Sequence, residues 1–227
     1  FWEDDKDQLP YSRNQRSMVY QRAKSITAIR PFGSIENMYE EDFTWLNHSL
    51  APIHTRSEDF YTDVGKGSKA YQISLINISG TSFGSVSPRA IQALNAGAAR
   101  GNFAHNTGEG SISKYHEAGA GDLVWQISTG YFGCRTSDGR FDRISFKKKA
   151  CLDQVKMIEI KLSQGAKPGH GGMLLGNKVN HEIATTRGIP IGQDCISRAS
   201  HSEFSTPDEL LDFAFELREL ADQKPVG

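Results

Sequence analysis

VKMIEIKLSQGAKPGHGG, residues 155–172, joins a nearly continuous apolar run to a loop that contains four glycines. Apolar runs of this kind are typical of strands that are buried on both faces of a parallel sheet. Glycine costs backbone entropy, so a loop this rich in it indicates that its backbone is approached closely by something else. The stretch therefore predicts a buried strand over 155–163, followed by a binding loop with Lys167 at its centre.

The same succession of strand and glycine-rich loop recurs from residue 65 onward. Apolar, β-branched runs predict three earlier strands and the opening of a later one, at 71–79, 102–106, 122–128 and 224–227. Helix signals lie between and after them: Ser87 is an N-cap before Pro88, and Thr206 forms a capping box with Glu209. Repeated strand–helix units predict a parallel sheet with right-handed crossovers.

Two α/β architectures fit this pattern, an open doubly wound sheet and a (β/α)₈ TIM barrel. The dinucleotide fingerprint would favour the first, but GEGSIS (108–113) lacks its third glycine, and the chain contains no Walker P-loop. In a barrel, the loops at the carboxyl ends of all strands gather on one face. Because four successive strands end in glycine-rich segments, we expect the barrel.

Chain length limits how much of a barrel can be present. Residues 1–64 are charged and aromatic with a single glycine, and we interpret them as an amino-terminal wrapping segment. The predicted barrel region is 65–227, and only 157 residues run from 71 to the end. A full barrel needs about 250 residues. The chain is therefore predicted to hold about the first half of a barrel.

Composition excludes several classes of partner. The net charge is −1 and the pI about 6.7, so we expect no nucleic-acid partner. Three scattered cysteines favour a reducing, cytoplasmic setting, although a membrane segment upstream of Phe1 stays open. The histidines show no metal-ligand spacing, so no metal site is predicted.

Four motifs together resemble a known family. INISGTSFGSVS, NTGEGSIS, IEIKLSQGAKPGHGG and GNKVNHEIATTRGIP occur in this order and are similar to the FMN-binding domain of glutamate synthase. They are closer still to stand-alone glutamate-synthase-like proteins that lack the amidotransferase domain. The resemblance covers roughly residues 70–227. It implies a barrel of the FMN-dependent type, with FMN over its carboxyl face, that reduces the imine of 2-oxoglutarate or a similar 2-oxo acid to an amino acid.

The resemblance also implies roles for individual residues. Lys167 and Arg187 would hold substrate carboxylates, and Glu109 would orient the reacting imine or relay a proton to it. Lys161 would approach the N1/O2 edge of the flavin. The flavin ring would lie on the loop after the first strand, formed by Ser79, Gly80, Thr81 and Ser82.

Each of these residues also has a plainer interpretation. Lys161 and Lys167 can be solvated surface charges, and Glu109 can be an ordinary loop carboxylate. Arg187 can pair with Glu182 on one helix face. The chain also departs from the family pattern, because Met173 replaces a glutamine that lines the substrate pocket.

The resemblance sets the expected partners as well. They are a 2-oxo acid or amino acid, the missing carboxyl-terminal half of the barrel, and an electron-donor protein or reduced pyridine nucleotide. The family's cluster-binding cysteines are not in this chain, so an iron–sulfur cluster would belong to the full-length protein only. A synthase that makes an N-substituted glutamate, and a non-catalytic half-barrel subunit or assembly partner, remain alternatives.

Overall fold

A computed structural model describes residues 11–26, 39, 47, 49–165 and 169–227. These residues fall into two units, one that ends at Ile53 and one from His54 to Gly227. The first unit contains helix α1, Arg13–Ala23, which begins with a capping box between Ser12 and Gln15. Residues 1–10, 27–38, 40–46 and 48 of the predicted wrapping segment lie outside the described residues.

The second unit begins with a strand pair that the sequence did not reveal. Strands β1, Tyr61–Val64, and β2, Tyr71–Ser74, are antiparallel. The prediction of one strand over 71–79 was therefore wrong. The chain turns at Asn77, whose side chain donates to the carbonyl of Ser74 (2.6 Å) and accepts from the amide of Ala104 (2.9 Å).

A parallel sheet follows, and its strands are arranged in the order of the sequence. Its three strands are β3, His105–Asn106, β4, Leu123–Ile127, and β5, Val155–Ile160. Single parallel bridges extend it at both sides, from Ile78 to His105 and from Val226 to Ile158. The predicted fifth strand thus pairs with β5 through Val226. The described residues form an α/β arrangement without a closed barrel.

Five helices and one further strand pair complete this unit. Strands β6, Met173–Leu174, and β7, Cys195–Ile196, are antiparallel. The helices are α2, Pro88–Gly101; α3, Lys114–Glu117; α4, Arg143–Ala150; α5, His181–Arg187; and α6, Pro207–Leu220. The predicted caps of α2 at Ser87 and of α6 at Thr206 are confirmed, because both hydroxyls accept the expected backbone amide hydrogens. In the described part of the chain, no helix has the length and apolarity needed to cross a bilayer.

The main core lies between the parallel sheet and helices α4 and α6. Trp125 of β4 is fully buried and stacks on Phe146 of α4 with ring centroids 5.3 Å apart. Ile158 of β5 and Leu217 of α6 are also fully buried in this cluster. Successive strand side chains point to opposite faces, so the residues that alternate with these core positions lie on the other face of the sheet.

Two buried imidazoles lie on the helix-covered side of β3. His105 and His116 are fully buried, with ring centroids 5.2 Å apart. Neither ring nitrogen of His105 has a hydrogen-bond partner among the described residues. Burial lowers the pKa of each imidazole to about 4, so both rings are neutral at pH 7.

Acid is therefore expected to destabilise this unit. The pKa of His105 is about 4 in the folded state and about 6.5 when the chain is unfolded. Its contribution to the free energy of unfolding is therefore complete above about pH 6.5 and is lost as the pH falls toward 4. Between pH 7 and pH 4.5, the free energy of unfolding should fall by about 2 kcal/mol from this residue. His105→Phe should flatten the dependence of the urea midpoint on pH, whereas His181→Gln, at an exposed site, should not. An unchanged acid dependence in His105→Phe would contradict this assignment.

Candidate active site

Four glycine-rich loops lie at the carboxyl edge of the parallel sheet. They follow Ile78, β3, β4 and β5 and cover residues 79–84, 107–113, 128–133 and 161–172, except for 166–168, which lie outside the described residues. Lys167 is one of the latter, so its predicted role stays a prediction. The other predicted site residues are all described.

Glu109 and Lys161 meet across two of these loops. Nζ of Lys161 lies 3.5 Å from Oε2 of Glu109, and both side chains are largely buried, with 25% and 15% of their surfaces exposed. Gln164 links them, since its amide donates to the same carboxylate oxygen (2.8 Å) and accepts from Lys161 (3.1 Å). The carboxylate and the ammonium are therefore held in one hydrogen-bonded group.

The loop over residues 79–82 is fixed against the loop that carries Glu109. The amide of Thr81 donates to the carbonyl of Asn106 (3.1 Å), and the amide of Gly110 donates to Oγ of Ser82 (3.1 Å). Gly108 has φ +63°, and a Cβ atom there would lie 2.5 Å from Oγ of Ser82, so a side chain would separate the two loops. Ser79 and Gly80 remain exposed at this edge.

His116 supports the same loop from behind. Its Nδ1 accepts from the amide of Ser113 (3.1 Å), and its Nε2 lies 3.2 Å from the carbonyl oxygen of Thr81. Because Nδ1 is an acceptor, the proton is on Nε2, which donates to Thr81. The neutral ring thus connects α3 to residue 81.

Arg187 approaches the site from α5. It is 6% exposed, and its Nη2 donates to the carbonyl of Phe83 (3.2 Å). A Cβ atom at Gly110 would lie 3.1 Å from Nη2, so the guanidinium directly adjoins the loop of Glu109. Arg187 does not pair with Glu182, which instead binds Lys114 and the hydroxyl of Tyr115.

The guanidinium of Arg187 has hydrogen-bonding capacity that the described residues do not use. Its Nε has no hydrogen-bond partner, and no carboxylate lies within 4.0 Å of it, as far as the described residues extend. Its other contacts are the ring of Phe132, at 5.1 Å, and Sγ of Cys195, at 3.6 Å. A buried cation without a counter-ion is costly, so the site favours an anionic ligand here.

A layer of polar side chains lies beneath these loops, and sequence reasoning missed it. Asn106, Gln126 and Glu159 lie on neighbouring strands, and both amides donate to Oε1 of Glu159. A Cβ atom at Gly80 would lie 3.3 Å from Nε2 of Gln126. The polar layer therefore reaches the exposed backbone of the loop over residues 79–82. The available signal was a polar residue near the carboxyl end of each of two largely apolar strands, Gln126 in LVWQI and Glu159 in VKMIEI.

Residues 24–227 match the family model described as the conserved region in glutamate synthase. The curated proteins that match include the glutamate synthase large subunit-like protein YerD of Bacillus subtilis, which is 42% identical over 175 residues. The archaeal-type glutamate synthase [NADPH] of Thermotoga maritima is 34% identical over 147 residues.

These matches cover much of this chain but little of the relatives. The aligned part is 77% of this chain and 31% of the Bacillus subtilis protein, and 64% of this chain and 26% of the Thermotoga maritima protein. The chain thus spans less than a third of the length of either relative.

Proposed function

This chain belongs to the glutamate synthase family, and from that premise we propose that it forms part of an FMN-dependent oxidoreductase that reduces the imine of 2-oxoglutarate, or of a similar 2-oxo acid, to an amino acid. The observation that carries the proposal is that Glu109 pairs with Lys161, while the next residue, Gly110, adjoins Arg187 and bonds Ser82 of the loop over residues 79–82. A carboxylate and two cations beside exposed backbone suit a ligand that is both flat and anionic.

The strand order supports a partial barrel. From Ile78 through β3, β4 and β5 to Val226, each parallel segment pairs with the next parallel segment in the sequence, as in one arc of a (β/α)₈ barrel. A doubly wound sheet would instead reverse its strand order at a switch point. We propose that 65–227 is the first half of this barrel and that the second half of the barrel is a partner of this chain.

The described residues fit the ring of FMN. The exposed backbone of Ser79 and Gly80 can lie against a flat ring, and Gln126 supplies an amide donor beneath it. Lys161 supplies positive charge, which stabilises a reduced flavin at its N1/O2 edge. FMN, when bound, supplies the hydride for the reduction. The phosphate would be held by loops of the other barrel half.

The roles of the residues that would bind the substrate are proposed from their charges. The free Nε of Arg187 and the ammonium of Lys167 are proposed to hold the two carboxylates of the substrate. Glu109 would orient the imine and hold or transfer the proton at its nitrogen. Lys161 would keep Glu109 in position through the group that includes Gln164.

Two alternative functions remain, and a specific observation supports one of them. Met173 takes the place of a pocket-lining glutamine, and its side chain is 61% exposed at the start of β6. An apolar surface there suits a substrate with a bulkier, less polar group, such as the precursor of an N-substituted glutamate. The other alternative is a non-catalytic subunit, which would bind no 2-oxo acid.

The cellular compartment and the electron donor of the protein are also proposed. Cys134, Cys151 and Cys195 are all free, which suits the cytoplasm, where thiols stay reduced. Electrons would come from a reduced pyridine nucleotide or a donor protein, and an iron–sulfur cluster would be bound elsewhere in the full-length protein.

The proposal is tested by the visible spectrum of the purified full-length protein. We expect about one FMN per polypeptide, released on heating, and oxidation of the reduced flavin by 2-oxoglutarate with ammonium. Gly80→Val should lower the flavin content, because a side chain at this position would contact Gln126 and Asn106. Gly97→Val, at a helix position with open space, is the matched control for flavin content.

A full-length protein that remained colourless after incubation with FMN would contradict the flavin assignment. A flavoprotein that no 2-oxo acid oxidised would instead contradict the substrate assignment.

A further inference from the structure

A cavity lies next to Phe83 and Ile112, which belong to two loops of the candidate site. Its volume is about 380 Å³, and helices α3 and α5 contribute to its walls. Phe83, Ile112 and Tyr115 provide apolar walls, while His181 and Thr186 also line it. A volume of this size accommodates a small organic molecule.

One ammonium group in this cavity has no counter-ion. Lys149 extends from α4, and its Nζ donates to Oγ of Ser111 (2.9 Å). No carboxylate lies within 4.0 Å of Nζ among the residues that the structure describes. Burial lowers the pKa of Lys149, because the charged ammonium loses hydration there.

The other charges at the cavity already compensate one another. Lys114 pairs with Glu182, and the hydroxyl of Tyr115 donates to both oxygens of that carboxylate at 2.9 Å. Among the lysine and glutamate side chains of the lining, Lys149 is the one without a charged partner in the described part of the chain. The ligand that matches has a single negative charge and an apolar body.

We propose that this cavity binds a small monocarboxylate whose carboxylate pairs with Lys149 and whose apolar or aromatic part packs on Phe83, Ile112 and Tyr115. Neutralising Lys149 recovers the energy lost by burying an unpaired ammonium. A second negative charge would have no cationic partner left and would lie near the carboxylate of Glu182, which disfavours dicarboxylates such as 2-oxoglutarate. This site is separate from the one that contains Glu109 and does not depend on the proposed reaction.

A ligand in this cavity would contact two loops of the candidate site, the one that contains Phe83 and the one that contains Glu109 and Ile112. Phe83 lines the cavity with its side chain, while its carbonyl accepts from Arg187. Ile112 lines the cavity three residues after Glu109, and Ser111 lies between them with φ +75°. Occupancy of the cavity and the position of Arg187 and Glu109 are thus linked through residues 83 and 111–112.

The test uses benzoate as the probe and benzamide as its uncharged counterpart, titrated into the full chain and followed by ligand-observed NMR. We expect saturable binding of benzoate that is at least tenfold tighter than that of benzamide, because only benzoate forms a charge-assisted contact. Lys149→Met should weaken benzoate binding at least tenfold. Lys148→Met, at the neighbouring exposed lysine of the same helix, should leave it unchanged.

The comparison of benzoate with benzamide needs no variant, so the proposal remains testable even if Lys149→Met folds poorly. Equal affinity for the two compounds, absence of saturable benzoate binding, or unchanged binding in folded Lys149→Met would each overturn it. Equal weakening by Lys148→Met would show only surface attraction and would overturn it too.

Discussion

Glu109→Gln in the full-length enzyme is expected to lower kcat for amino-acid formation by at least about a hundredfold, the scale of a lost general acid–base contribution. The variant keeps the shape of the side chain, and its amide can still meet Gln164, whose side chain bonds Glu109 now. Flavin content should therefore persist, and KM for the 2-oxo acid should change much less than kcat. Steady-state kinetics together with the flavin spectrum measure both quantities.

Glu219→Gln is the matched control, since Glu219 is an exposed carboxylate on α6. It should leave kcat unchanged. A Glu109→Gln enzyme with full kcat would show that the carboxylate is only a loop charge. A variant that lost its flavin would instead assign Glu109 to the cofactor site.

Phe146→Ala is expected to lower the free energy of unfolding by about 3–5 kcal/mol. Phe146 is fully buried, stacks on Trp125 and packs against Phe141 with ring centroids 5.4 Å apart. Its loss would leave a cavity between α4 and the parallel sheet. Because a domain of this kind has only about 5–15 kcal/mol in total, the urea midpoint should fall sharply.

Ile144→Ala on the same helix provides the comparison. Ile144 is 83% exposed, so its truncation should change the free energy of unfolding by no more than about 0.5 kcal/mol. Equal midpoints for the two variants would mean that α4 does not pack on the sheet through Phe146.

Much of the fold was predictable because local signals and burial agreed. The capping box at Thr206 and the N-cap at Ser87 satisfy the first amides of their helices by local contacts alone. The β5 run is apolar enough to indicate a central strand. The pairing of β1 with β2 was not predictable, because β1 is only four residues long and the turn that ends β2 depends on Asn77 reaching Ala104. That contact joins positions far apart in sequence.

Some features of the candidate site could also be predicted from the sequence, and others could not. The glycine-rich loops follow from strand order, so their gathering at one edge could be expected. The polar layer of Asn106, Gln126 and Glu159 depends on the register between three strands, which the sequence does not specify. The burial of Arg187 likewise depends on how α5 packs near Phe132.

The order of the parallel strands has a consequence for synthesis on the ribosome. Each parallel segment from Ile78 through β3, β4 and β5 to Val226 pairs with the parallel segment that precedes it in the chain. A nascent polypeptide emerges from its amino end at about 5–20 residues per second, so each new strand meets a partner that has already left the exit tunnel. The sheet of this chain can therefore assemble vectorially, one strand–helix unit at a time, and each edge stays open only until the next unit is translated.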